Sequence, residues 1–370
     1  MIDWDLAVST GIRLVRPGPT VSREEAHRVV AELRELSRRA QRHVREFTGL
    51  AGGDHDDDAV VVDRPGWIRA NVDGFRVVLE PLAVKFAKRR EATPGGALAT
   101  AVGSRVTGMQ VGTILAYMAG RVLGQYELFL PPDPTGRAPT GRLTLVAPNI
   151  VNAERELAVD PHDFRLWVCL HEETHRAQFT VVPWLRPYVQ EQITEFLYAS
   201  DLDPGAILER LRAAADAVVD AVRGGPSGEG SSLVEALQTA EQREILDRLT
   251  AVMTLVEGHG DYVMDAVGPG VVPSVEEIRA RFQRRREGGS RLDKTIRRVL
   301  GIELKMKQYA EGSGFVRGVV DAVGMDGFNR VWEAPENVPT REEIANPAAW
   351  IERVVGRPRP LAEGNGQGMR

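Results

Sequence analysis

The stretch from Phe164 to Phe179, FRLWVCLHEETHRAQF, constrains this chain more than any other. Phe164 to Leu170 is almost wholly apolar, and His171-Glu172-Glu173-Thr174-His175 follows directly. A helix this rich in Leu, Val, Trp and Phe is buried, and imidazoles inside a buried helix need polar partners. Two histidines four residues apart lie on one helix face, one turn above the other. His171 and His175 can therefore reach a single metal ion from one rigid element. Glu172 lies about 100° around the helix from His171. From there it can act as general base toward a water held by that metal. Asp160 suits the cap of this helix and Pro161 its first position, and Pro183 marks its expected end.

Two histidines do not complete a catalytic zinc site, which usually has three protein ligands and a water. The candidate partner is the segment Leu255 to Asp265, LVEGHGDYVMD. Glu257 and Asp261 are four apart and share a helix face. Glu257 can supply the third ligand, and Asp261 can accept the free N–H of a ligand histidine and orient it. His259 falls on a different face. It is either an alternative ligand or a cleft residue that hydrogen-bonds a developing oxyanion. Further along, Lys305 and Tyr309 share a helix face and are candidate cleft contacts with substrate.

These segments carry a family resemblance. HEETHRAQF (171–179) with EGHGDYVMDAVG (257–268) resembles zincin-like metallopeptidases of gluzincin type, in which E-x-x-x-D supplies a ligand and an orienting carboxylate. With LVAPNI (145–150) and GMDGFNRVWEAPENVPTREEI (324–344), the chain from Asp3 to Gly356 resembles a type 2 group of zincin-like hydrolases from actinobacteria. Some members of that group carry an association with coenzyme F420 biosynthesis. The resemblance implies zinc as cofactor, His171, His175 and Glu257 as ligands, Glu172 as base and Asp261 as orienting partner. Asn149, within LVAPNI, joins the candidate cleft contacts. The gap from His175 to Glu257 exceeds the usual gluzincin spacing, and a helical insertion over about 184–250 would fill it.

Elsewhere the signals are of ordinary architecture. Ser22-Arg23-Glu24-Glu25 reads as a capping box opening a long amphipathic helix that Gly49 stops. Ser232, Ser274 and Thr340 open similar patterns. Asp54 to Asp58 lacks the ligand pattern of a calcium loop and reads as solvated. Gly96 to Leu123 is rich in small residues but broken by Ser104, Arg105 and Gln110, so it reads as a buried helix and not a membrane span. Tyr126–Leu130 and Arg142–Val151 read as a hairpin joined by a Pro/Gly-rich loop, and Leu143 to Ile150 is a candidate edge for an extended peptide. The basic run from Arg279 to Lys307 reads as a solvated face, with a polyanion-binding patch as the rival.

The expected fold is mostly α (α+β), zincin-like, with a small antiparallel sheet. Its regions are an N-terminal helical part (1–125), a catalytic core (126–270), a C-terminal helical part (271–356) and a disordered tail (357–370). A net charge of −5 gives no general pull toward nucleic acid. The single cysteine, Cys169, and the absence of a signal-like start fit the cytoplasm. The expected activity is zinc-dependent cleavage of a peptide or a small amide. The rival readings are a zincin-like scaffold without turnover and a protein that binds a polyanion or cofactor.

Overall fold

The computed structural model describes residues 2–51, 58–90, 97–132, 141–199, 240–287 and 302–356. The acidic run through Asp57, the Pro/Gly-rich loop from Asp133, most of the expected insertion with Ser232, and the tail from 357 lie outside these residues. The described chain is mostly helical with a three-stranded sheet.

Helices α1 (Trp4–Leu14), α2 (Arg23–Thr48), α3 (Arg64–Arg90) and α4 (Ala97–Ala119) precede the hairpin. The Ser22 hydroxyl caps α2 by accepting from Glu25 N–H, and Gly49, at φ 69°, ends it in the left-handed conformation. The small residues of α4 have a packing reason. A Cβ on Gly112 would lie 2.5 Å from the Ala7 carbonyl oxygen, so α1 and α4 touch backbone to backbone there. Among the described residues no helix is long and apolar enough to cross a membrane.

The sheet has the order β1 (Val60–Val62), β3 (Arg142–Val146), β2 (Gly124–Glu127). β2 and β3 pair antiparallel, with Gly124 opposite Leu145 and Glu127 opposite Arg142. β1 adds in parallel on the other side of β3, with Val61 opposite Leu145. The sheet is therefore mixed, and β3 is its central strand. This corrects the expectation of a free edge running from Leu143 to Ile150. The strand stops at Val146, and α5 (Ala147–Leu157) follows with Pro148 in its first turn. Proline suits a first helical turn and has no N–H to extend a ladder.

α6 (Pro161–Val181) carries the His-Glu-Glu-Thr-His segment, and α7 (Leu185–Ala199) follows it. Asp160 accepts from Asp163 N–H at 2.9 Å, and Pro161 opens the helix. α8 (Ala240–Ala266), α9 (Val275–Glu287), the long α10 (Ile302–Asn329) and the short α11 (Arg341–Ala345) and α12 (Pro347–Trp350) complete the chain. Thr340 forms both halves of its capping box with Glu343. Ser274 does otherwise: its N–H and hydroxyl both donate to Asp163 Oδ2, tying the start of α9 to the start of α6.

One apolar core joins α2, α6, α8 and α10, through residues such as Leu33, Leu36, Phe164, Leu166, Val252, Leu255, Phe315 and Phe328. Burying such a side chain fully contributes about 1.5–3 kcal/mol. α6 is thus held between α2 on one side and α8 on the other. The described arginines of the basic run are already engaged. Arg279 pairs with Asp265, Arg281 with Glu277 and the Leu157 and Ala158 carbonyls, and Arg285 with Glu156.

Candidate metal centre

Two adjacent carboxylates on α6 leave the helix in different directions. Glu173, 1 % exposed, faces α2, where it accepts from the Ser37 hydroxyl and pairs with Arg176 at 3.2 Å. Burial pushes its carboxyl up to about 7, with Arg176 and Ser37 pulling the other way. Glu172 points instead at the start of β2. A Cβ on Gly124 would lie 2.6 Å from the Glu172 carboxyl carbon, so only glycine leaves room for it. Burial also raises the Glu172 carboxyl, opposed by the neighbouring His171 and His175.

Glu257 on α8 meets the two histidines of α6. His171 Nε2 and His175 Nε2 lie 3.1 Å apart, and Glu257 Oε2 lies 3.6 Å from each. The three donor atoms all fall within 4.8 Å of one another. Asp261, one turn beyond Glu257, places Oδ1 3.5 Å from His171 Nδ1. Gly260 stands between these two carboxylates. A Cβ there would come within 3.1 Å of the His171 ring, so its absence lets α8 close onto the imidazoles.

The far nitrogen of His175 meets Gln178. His175 Nδ1 and Gln178 Oε1 are 2.9 Å apart, and Gln178 Nε2 donates to the Val256 carbonyl at 2.9 Å. An Nδ1–H on each ring would turn both Nε2 lone pairs to the centre, where with Glu257 they would suit a cation. Burial opposes a charged His175, yet Glu257 and Glu172 lift it to about 9. Burial likewise opposes ionisation of Glu257, but the two histidines outweigh it and hold the carboxyl far below its usual range.

Two of the other expected site residues, His259 and Asn149, lie elsewhere. His259 is wholly buried, with its ring 5.1 Å from Phe328 and 5.5 Å from Trp332, and Gln178 Nε2 meets its Nδ1 at 2.9 Å. It is neither a third ligand nor a cleft residue, because it projects into the α8–α10 core. Burial first, and then His175, lowers its pKa to about 3, so the ring is neutral. Asn149 is also no cleft contact. It is 3 % exposed and spends its amide on Arg64 and the Ala119 and Val122 carbonyls, closing the end of α4. Lys305 and Tyr309 fall in the first turns of α10, where the side chains lie outside the described residues. Sequence reasoning missed Gln178, although it lies three residues beyond His175 and so on the same helix face. It also missed Gly124, whose role depends on a strand that approaches from elsewhere in the chain.

A family profile described as zincin-like metallopeptidase matches residues 2–351. Among solved structures, the chain is similar to one from Chloroflexus aurantiacus described as a candidate hydrolase with a novel fold. The two share 30% identity and a TM-score of 0.68, with 97% of this chain and 100% of the other covered. No curated protein matches.

Proposed function

The chain belongs to the zincin-like metallopeptidase family, and on that premise we propose that it is a zinc-dependent hydrolase of peptide or small amide bonds. One observation carries the reading: two imidazole Nε2 atoms and the Glu257 carboxylate converge beside a buried Glu172. Two neutral imidazoles and one carboxylate suit zinc, and three protein ligands leave a position open. His171, His175 and Glu257 would hold the ion. Zinc, when bound, supplies a Lewis acid that acidifies water and polarises a carbonyl.

The chain's own residues do the rest. Glu172, held in place against Gly124, takes a proton from the attacking water and returns it to the leaving amine. Its raised pKa suits both halves of that task, since a base must give the proton back. Asp261 and Gln178 keep the ligand imidazoles turned with their Nε2 atoms inward. Among the described residues β2 is an edge strand of the sheet and runs beside Glu172, which is where an extended substrate would add main-chain hydrogen bonds.

The test is a digest of a peptide library and a panel of N-acyl amides by zinc-loaded wild type and Glu172→Gln. Wild type is expected to cleave members of these sets, and the variant to lose about 10²–10⁴-fold in rate while keeping its zinc. Identical products and rates from the two proteins would refute the assignment.

A further inference from the structure

We propose that Gln178 and His259 form a buried relay that fixes which nitrogen of His175 is bare and aims it at the metal centre. Both are positioning residues, His259 acting through Gln178. The inference rests on the reading of His175 as a metal ligand, and not on turnover.

The Val256 carbonyl can only accept. Gln178 Nε2 lies 2.9 Å from that oxygen. An amide turned the other way would set oxygen against oxygen, so the orientation of the Gln178 side chain is determined. Its Oε1 therefore faces His175 Nδ1 at 2.9 Å. Nδ1 must carry a hydrogen, which makes Nε2, the nitrogen that faces His171, the one available to a metal ion. The second amide hydrogen points at His259 Nδ1, also 2.9 Å away. That nitrogen must be bare, so His259 carries its hydrogen on Nε2. Gln178 uses both hydrogens and its oxygen, and no other tautomer set satisfies all four groups.

Burial makes the relay strict. Gln178 and His259 are wholly buried and Val256 is 1 % exposed, so no water is at hand to rescue a wrong choice. His259 Nε2 has no hydrogen-bond partner. The rings of Phe328 and Trp332 pack beside the imidazole, with centroids 5.1 and 5.5 Å away. A neutral ring is what such a pocket tolerates. The two ligand histidines thus differ in support: His171 faces the partly exposed carboxylate of Asp261, and His175 a neutral, enclosed amide.

Nitrogen NMR of histidine-labelled full-length protein reads the tautomers without any substitution. His259 is expected as the Nε2–H form with and without zinc, and zinc-loaded His175 as the Nδ1–H form. His259 in the Nδ1–H form would overturn the relay. Competition with a chelator then measures zinc affinity. Gln178→Leu and His259→Phe are each expected to weaken it about 10–100-fold, with a shifted His175 nitrogen resonance. Phe328→Leu disturbs the same packing but none of these hydrogen bonds. It should lower the melting temperature and leave zinc affinity unchanged. Equal weakening by Phe328→Leu, or none by the first two, would reduce the pair to packing. If wild type takes up no zinc, the ligand reading fails, while the His259 tautomer in the same sample still judges the relay.

Discussion

Gly124 on β2 and Glu172 on α6 are in contact across the site: a Cβ on the glycine would stand 2.6 Å from the Glu172 carboxyl carbon and 2.7 Å from its Oε1. The sheet therefore does more than pack on the metal-site helix. It forms the wall that sets where Glu172, the proposed base, can stand.

Gly124→Ala is expected to push Glu172 out of place while leaving His171, His175 and Glu257 alone. Overpacking of this kind costs about 1–3 kcal/mol. Zinc content should stay at the wild-type level, while the rate on any substrate found for wild type falls at least about tenfold. Zinc analysis and kinetics on one preparation check both halves.

The α8–α10 crossing is made backbone to backbone. A Cβ on Gly258 would lie 2.2 Å from the Gly312 carbonyl carbon, and one on Gly312 would lie 2.2 Å from the Thr254 carbonyl oxygen. Backbone cannot swing aside as a side chain can. Gly258→Ala should therefore cost at least the upper end of the roughly 1–3 kcal/mol overpacking range. Gly314→Ala, two residues along from Gly312 and with nothing within 4 Å of the added atom, should stabilise by up to about 1 kcal/mol. Denaturant midpoints of the two variants should move in opposite directions.

Asp261 stands 3.5 Å from His171 Nδ1 without contributing to the three-atom cluster. Asp261→Ala should leave one zinc per chain at saturation but weaken its binding about 10–100-fold. A chelator titration distinguishes this from loss of a ligand, which would abolish stoichiometric binding.

The C-terminal clamp is built from Glu343 and Arg353, which meet at 2.6 Å beneath the Thr340 capping box. The hydrogen bond from Arg353 lowers the Glu343 carboxyl below its usual range, with burial opposing. A carboxyl lowered in the folded state stabilises above its unfolded pKa, about 4.3, and loses that contribution as pH falls through the folded value. Arg353→Ala should thus cost about 1 kcal/mol near neutrality and less near pH 2, where only the Arg353 bonds to the Glu336 and Val338 carbonyls remain to be lost. Melting curves of wild type and variant should converge on acidification.

What was legible in the sequence was whatever depends on helical period. His171 and His175 at four residues, and Glu257 and Asp261 at four, each share a face of one helix, so their meeting needed only two helices to cross. The His259 side chain was not legible in the same way. Its face of α8 is defined by Phe328 and Trp332, about seventy residues on in the chain, and only packing decides whether that face meets solvent or core. The strand Val60–Val62 is too short to show a period, and without it β3 looked like an edge. Pro148 was the signal that β3 must end, but a strand-like run of Val, Ala and Ile around it pointed the other way.

In the proposed centre one ion is held by two histidines of α6 and one carboxylate of α8. Zinc stoichiometry of purified wild type, His171→Ala and Glu257→Ala, measured after equilibration against a fixed low free-zinc concentration, tests it most directly. One zinc per wild-type chain is expected, and less than about a tenth of that in either variant. Full occupancy in Glu257→Ala with loss only in His171→Ala would contradict the three-ligand site, and equal zinc in all three proteins would contradict the centre altogether.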